Sequence, residues 1–272
     1  MWAEWQPPLE DCKVMVWYSK HNDLYPLSDW IHPGAIPIGT GETDSPYYDL
    51  PNYEWMSRHL GWLGFRDILI SSPILGKGIE SILLKISKNQ IHEFLFGYWY
   101  ENLPKLVNEW KRDVMLVYGL NLTNSDLRHA LLLHRQRRSK ATLLSIRGLK
   151  FNVGLVKLNM DTKIIEAFQE KPVDRSQLLS SNILILDTSD QTVVEIIKEC
   201  TASIPKKLKD EPSQILNKLL NQMIEKEILD TVELTGISDE PWFLDLARLE
   251  NWIKLDVEEF INNFGHLIKK EE

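Results

Sequence analysis

Two cysteines, Cys12 and Cys200, are all that a chain of 272 residues carries. They lie far apart and lack the short spacing of a metal site, so the thiols are expected reduced, as in a cytoplasmic protein. No apolar run approaches the roughly 18 residues of a membrane span, and Met1-Trp2-Ala3-Glu4 is no secretory leader, so the expected compartment is the cytoplasm. A surplus of positive charge is missing too. Lys plus Arg number 31 against 39 Asp plus Glu, a net charge of -8, which disfavours a nucleic-acid partner held through its phosphates. The one basic run, "HRQRRSK" (His134–Lys140), reads as a helix end, where cations complement the macrodipole.

Familiar site signatures are also lacking. "GKG" at Gly76–Gly78 has neither the spaced glycine nor the hydroxyl of a phosphate loop, and no GxGxxG or GxSxG follows an early strand. His129 and His134 are five apart, which does not align two ligands on one helix face, so they read as surface or core histidines.

What the chain does have is alternation of apolar strands with helices. "KVMVWY", "RDILIS", "QIHEFLFG", "DVMLVYG", "ATLLSIR" and "NILILD" read as strands. Helices are expected around Trp55–Leu63, Ile79–Ile86, Glu101–Trp110, Asn124–Arg138, Val193–Cys200 and Ser213–Glu227. Ser125 reads as the cap of the fourth, with Leu127, Leu131 and His134 on one face. "GLVKLNMDTKIIEAFQEKP" (Gly154–Pro172) reads as a hairpin, and "PWFLDLARLENWIKLDVEEFI" as a short strand and long helix. Continuous apolar strands between helices imply an α/β fold, a mostly parallel mixed sheet sandwiched by helices, with a small α+β sub-lobe. No linker or repeat divides the chain, so residues 1–272 are expected to form a single domain.

The ordered set "WMSRHLGWLGFRDILI", "DLRHALLLHRQRRSKATLLSI", "NVGLVKLNMDTKIIEAFQEKP" and "PWFLDLARLENWIK" resembles the sugar-phosphate nucleotidyltransferases, or NDP-sugar pyrophosphorylases. The resemblance spans nearly the whole chain and implies their Rossmann-like nucleotide-diphospho-sugar transferase fold, with the sub-lobe as sugar-binding part. It also implies roles. Glu170 would accept a sugar hydroxyl, Lys171 would pair with the sugar phosphate, Gly154 would let the sugar approach the backbone, and Asn182 stands in the sugar pocket. Asp245 keeps one position of the family's magnesium site. The C-terminal β-helix domain of many relatives is not expected.

The same resemblance exposes departures. Where the family has a glycine-rich, cationic nucleotide loop after the first strand, this chain reads Tyr18-Ser19-Lys20-His21, with Asp23 in place of an arginine and Gly34 in place of a lysine. "VYGLNL" puts Leu120 where a magnesium-binding aspartate belongs, with Asn121 as the nearest oxygen donor. Ala247-Arg248 replaces the family's Gly-Thr after Asp245. Magnesium, the family's cofactor, is therefore expected to bind weakly or not at all. These departures imply a catalytically degenerate member acting as a non-catalytic or regulatory subunit, beside an active paralogue or as a homo-oligomer. The alternatives are a divergent but active nucleotidyltransferase and a sensor of sugar phosphates. Trp2, Trp5, Trp17 and Trp30 suit an aromatic-rich interface.

Overall fold

The computed structural model describes residues 9–18, 52–73, 91–119, 121–146, 155–158, 165–169, 178–202, 204–205, 208–209, 211–236 and 243–245. A 3-10 turn, Leu9–Asp11, leads into β1 (Cys12–Trp17). Then come α1 (Asn52–Trp62), β2 (Asp67–Ser72), β3 (Ile91–Phe96), α2 (Trp99–Glu109), β4 (Asp113–Tyr118) and β5 (Asn121–Thr123). After α3 (Leu127–Arg137) and β6 (Ala141–Ile146) the chain forms the hairpin β7 (Leu155–Leu158) and β8 (Ile165–Gln169), then β9 (Leu178–Asp187). Helices α4 (Gln191–Ala202) and α5 (Pro212–Glu225) precede β10 (Leu229–Glu233) and β11 (Phe243–Asp245).

One sheet runs in the order β10-β6-β9-β4-β1-β2-β3, with the β7–β8 hairpin attached to β9. Strands β4, β1, β2 and β3 are parallel, β10 is parallel to β6, and β9 runs antiparallel between β6 and β4. The order records two directions of growth: β1 to β3 add on one side, and β4 returns to the other side of β1. Right-handed crossovers in opposite directions place their helices on opposite faces, so α1 and α2 cover the two sides of the sheet. That double covering is why β1, β4 and β6 are buried almost throughout, and why they are apolar at consecutive positions rather than alternate ones.

Corrections to the expected elements are local and have causes. Helix α3 starts at Leu127, and its cap is Asp126 rather than Ser125. The Asp126 carboxylate accepts from Arg128 N–H at 3.0 Å and from the Arg128 guanidinium, a stronger acceptor than a hydroxyl. Burial pushes the Asp126 carboxyl up, but the contacts to Arg128 outweigh it and hold the group below its ordinary value. Ser125 is instead fully buried and pairs with Thr123 Oγ1 at 2.8 Å. Asp126→Ala is expected to cost about 1 kcal/mol in urea denaturation, whereas Asp126→Ser, which keeps a capping oxygen, should lose much less. Trp17, which suited an interface but also stands in a strand read as buried, is 2% exposed and lies between Tyr118 (ring centroids 4.5 Å) and Trp99 (6.2 Å), so it is core. Strand β10 had no counterpart in the sequence reading. The expected helix at Ile79–Ile86, and the long helix after β11, lie outside the described residues.

The basic run ends α3 as expected. Arg138 takes the left-handed cap conformation at φ 55°, and the cations find partners: Arg135 on Asp113 at 2.5 Å, Arg137 on the Thr231 carbonyl at 2.8 Å, Lys140 on Asp190 at 2.9 Å. His134 is buried with Nδ1 2.7 Å from Thr142 Oγ1, and His129 Nδ1 lies 3.3 Å from Thr235 Oγ1. Both cysteines are buried free thiols. Burial pushes Cys12 far above the ordinary thiol range and Cys200 up to about 11, so neither offers a thiolate near neutrality. Among the described residues, no helix is long and apolar enough to cross a membrane.

Candidate functional site

In open α/β sheets a ligand crevice opens beyond the carboxyl ends of the strands, where the strand order reverses. Here that place lies between β1 and β4. Tyr18 follows β1 and Gly119 follows β4, and the register continues beyond the strands, since Gly119 N–H donates to the Trp17 carbonyl at 2.9 Å. The Tyr18 ring lies directly on Gly119. A Cβ placed on Gly119 would overlap Tyr18 Cζ and Cε1 and fall 2.6 Å from the hydroxyl oxygen. Tyr18 itself is 1% exposed. Only glycine permits this approach, and the aromatic ring packs on the end of β4 beside the switch point.

Two residues on, Asn121 is buried and turned toward β9. Its Nδ2 donates to the Ser181 carbonyl at 2.7 Å, while Oδ1 accepts no hydrogen bond from the described residues. Strand β11 pairs antiparallel with β5 so that Asp245 stands opposite Asn121. Two of the positions singled out in the sequence, 124 residues apart, thus meet in register.

Asn182 lies next to this corner, on an irregularity in β9. Pairing with β6 slips between Leu143↔Leu184 and Ser145↔Ser180, and Asn182 adopts φ 56°. The neighbouring serines repair the ladder. Ser181 Oγ donates to the Leu144 carbonyl at 2.8 Å, and Asn182 N–H donates to Ser180 Oγ at 3.1 Å. A non-glycine residue held in the left-handed region is a cost concentrated at bulges and ligand corners.

The other sugar-side positions, Gly154, Glu170 and Lys171, lie outside the described residues, as do Ser19–His21, Asp23, Gly34 and Leu120. The hairpin that carries the first three is present: Leu155 pairs with Gln169 and Val156 with Phe168. The sequence reading placed Tyr18 in the nucleotide loop but not on Gly119. It also passed over Trp99, which backs Trp17 from the start of α2. No local signal in the chain pairs these three segments.

The donor set can be weighed for a divalent cation. Gly119 brings no side-chain oxygen, and Asn121 brings one neutral amide oxygen whose partner nitrogen is already committed to β9. Asp245 is the single carboxylate in the register. Magnesium is usually held by one or two carboxylates together with substrate phosphates, in near-octahedral oxygen geometry. Among the described residues, the β5–β11 register offers one carboxylate position and one amide toward such a set.

No family model matches the chain, and no curated protein matches it in sequence. Among solved structures, it is similar to a protein of Bacillus anthracis described as a glucose-1-phosphate thymidylyltransferase and solved with sucrose. The match has a TM-score of 0.63 at 15% identity and covers 96% of this chain and 97% of the other. The chain has a nucleotidyltransferase fold. At that identity the likeness concerns the backbone path, and the side chains lining the crevice are this chain's own.

Proposed function

We propose that this nucleotidyltransferase-fold chain has lost catalysis and works as a non-catalytic or regulatory subunit, beside an active paralogue or as a homo-oligomer. One observation carries the reading: the buried Tyr18 ring packs directly on Gly119, at the strand ends where the fold's switch point lies and where a triphosphate would have to enter. Nucleotidyl transfer builds up negative charge on phosphorus, and its stabilisation needs cations, metal and open backbone N–H groups at that mouth. Supporting the reading are the neutral or acidic replacements at Asp23, Gly34 and Leu120, and the donor set around Asn121 and Asp245. Isothermal titration with each nucleoside triphosphate and magnesium is expected to give no heat of binding; saturable micromolar binding ends the proposal.

A second reading keeps only a sugar-phosphate half-site. Two observations favour it: the hairpin flanked by Gly154 and by Glu170-Lys171 retains its pairing, and Asn182 holds a strained conformation beside the crevice. In that reading Lys171 meets the phosphate, and Glu170 and Asn182 meet sugar hydroxyls. The neighbour's name suggests glucose 1-phosphate as the compound to try first.

A further inference from the structure

Away from the crevice, α2 and α4 separate enough to leave an open groove of about 650 Å³. Tyr100, Pro104 and Asn108 of α2 form one wall. Lys198 and Thr201 near the end of α4 form the other, and the segment after α4 closes it with Ile204 and Lys209. That volume lies within the range of small-molecule sites.

Three features give the groove a chemistry. Its shape is held, because the Tyr100 hydroxyl donates to the Lys209 carbonyl and so ties the segment after α4 to α2. Pro104, inside α2, has no N–H and so interrupts the helical hydrogen-bond ladder on the side that lines the groove. Its described lining carries two lysines against one acid. Glu101, the one acid among the described lining residues, is engaged by Tyr98 N–H at 2.9 Å, whereas neither Lys198 nor Lys209 has an ion-pair partner among the described residues. Its floor is mixed: the Tyr100 ring, Pro104 and Ile204 offer apolar contact, and Asn108 and Thr201 offer polar groups.

We infer that this groove binds a small organic phosphate, its phosphate between Lys198 and Lys209 and its body on Tyr100, Pro104 and Ile204. Lysines act as point charges suited to a tetrahedral phosphate, while the planar, two-pronged pairing that favours carboxylates calls for arginine, and no arginine is among the described lining residues. The site shares no residue with the crevice and stands or falls apart from the function proposed above.

The test uses the full chain and phenyl phosphate as probe, followed by NMR of the Ala202, Ile204 and Thr201 methyl groups. Saturable shifts confined to those methyls are expected, weakening about tenfold in Lys198→Gln/Lys209→Gln, both exposed positions whose replacement leaves the circular dichroism unchanged. No saturation at about 10 mM, where binding free energy would be below about 3 kcal/mol, overturns the inference. So does equal affinity in the double variant. Benzoate binding as tightly as phenyl phosphate overturns the phosphate assignment, and displacement of the probe by a hexaglutamate peptide at lower concentration overturns it too, assigning the groove to an acidic polypeptide instead.

Discussion

Gly119→Ala is expected to destabilise the protein by about 3 kcal/mol, at the upper end for overpacking a filled interior. The added methyl would fall inside the Tyr18 ring, and that residue is 1% exposed, so the ring has no adjacent solvent into which to turn. Tyr18→Ala alone is expected to cost about 3 kcal/mol as well, through the cavity that the lost ring leaves. Combined in one chain, the two changes should cost well under their sum, because removing the ring makes room for the methyl. A coupling of about 2 kcal/mol or more in guanidinium denaturation is the expected value for a pair in direct contact. Additive losses would mean that the ring is not what excludes a side chain at Gly119, and the proposed loss of nucleotide binding would lose its main support.

Asp113→Asn comes next in size. Asp113 opens β4 and accepts from Arg135 Nε at 2.5 Å, with His134 Nε2 3.6 Å away and His134 Nδ1 in turn on Thr142 of β6. Its side chain is 13% exposed. Replacing the carboxylate by an amide leaves a half-buried guanidinium short of its counter-charge, and a loss of about 3 kcal/mol near neutral pH is expected. The pH dependence has a definite sign. Burial raises the Asp113 pKa, but the hydrogen bonds and charges of His134 and Arg135 prevail and leave it below the ordinary carboxylate value. A depressed native pKa contributes stability that is present above the unfolded value of about 4 and disappears as pH falls through the native one. Urea denaturation of both proteins at stepped pH should therefore show a gap near neutrality that closes in acid. Parallel curves down to low pH would remove the carboxylate from the account.

The parallel strands were legible because burial on both faces forces runs such as "VMVW" and "MLVY" to be apolar at every position. Helix α3 was legible from Leu127, Leu131 and His134 on one side, all of which are buried. Strand β10 was not: "LDTVE" carries two acids in five residues, and it becomes a strand by pairing with β6, some 88 residues earlier. The cap of α3 was misjudged by one position because Ser125 and Asp126 are both good caps, and only the bond of Ser125 to Thr123 withdraws it from that role. On the site, the expected departures at Tyr18-Ser19-Lys20-His21 and Leu120 rest on the sequence resemblance, and all of these but Tyr18 lie outside the described residues.

Local chemistry alone decided the alternation of strands and helices and the capping cations of α3, because propensity, periodicity and charge belong to single residues and near neighbours. Only the folded chain decided that Tyr18 lies on Gly119, that Asp245 stands opposite Asn121, and that Trp17 packs between Tyr118 and Trp99. Each of those facts depends on register between segments about 100 or more residues apart, or on which element covers which face, and nothing in a short stretch of chain encodes its distant partner.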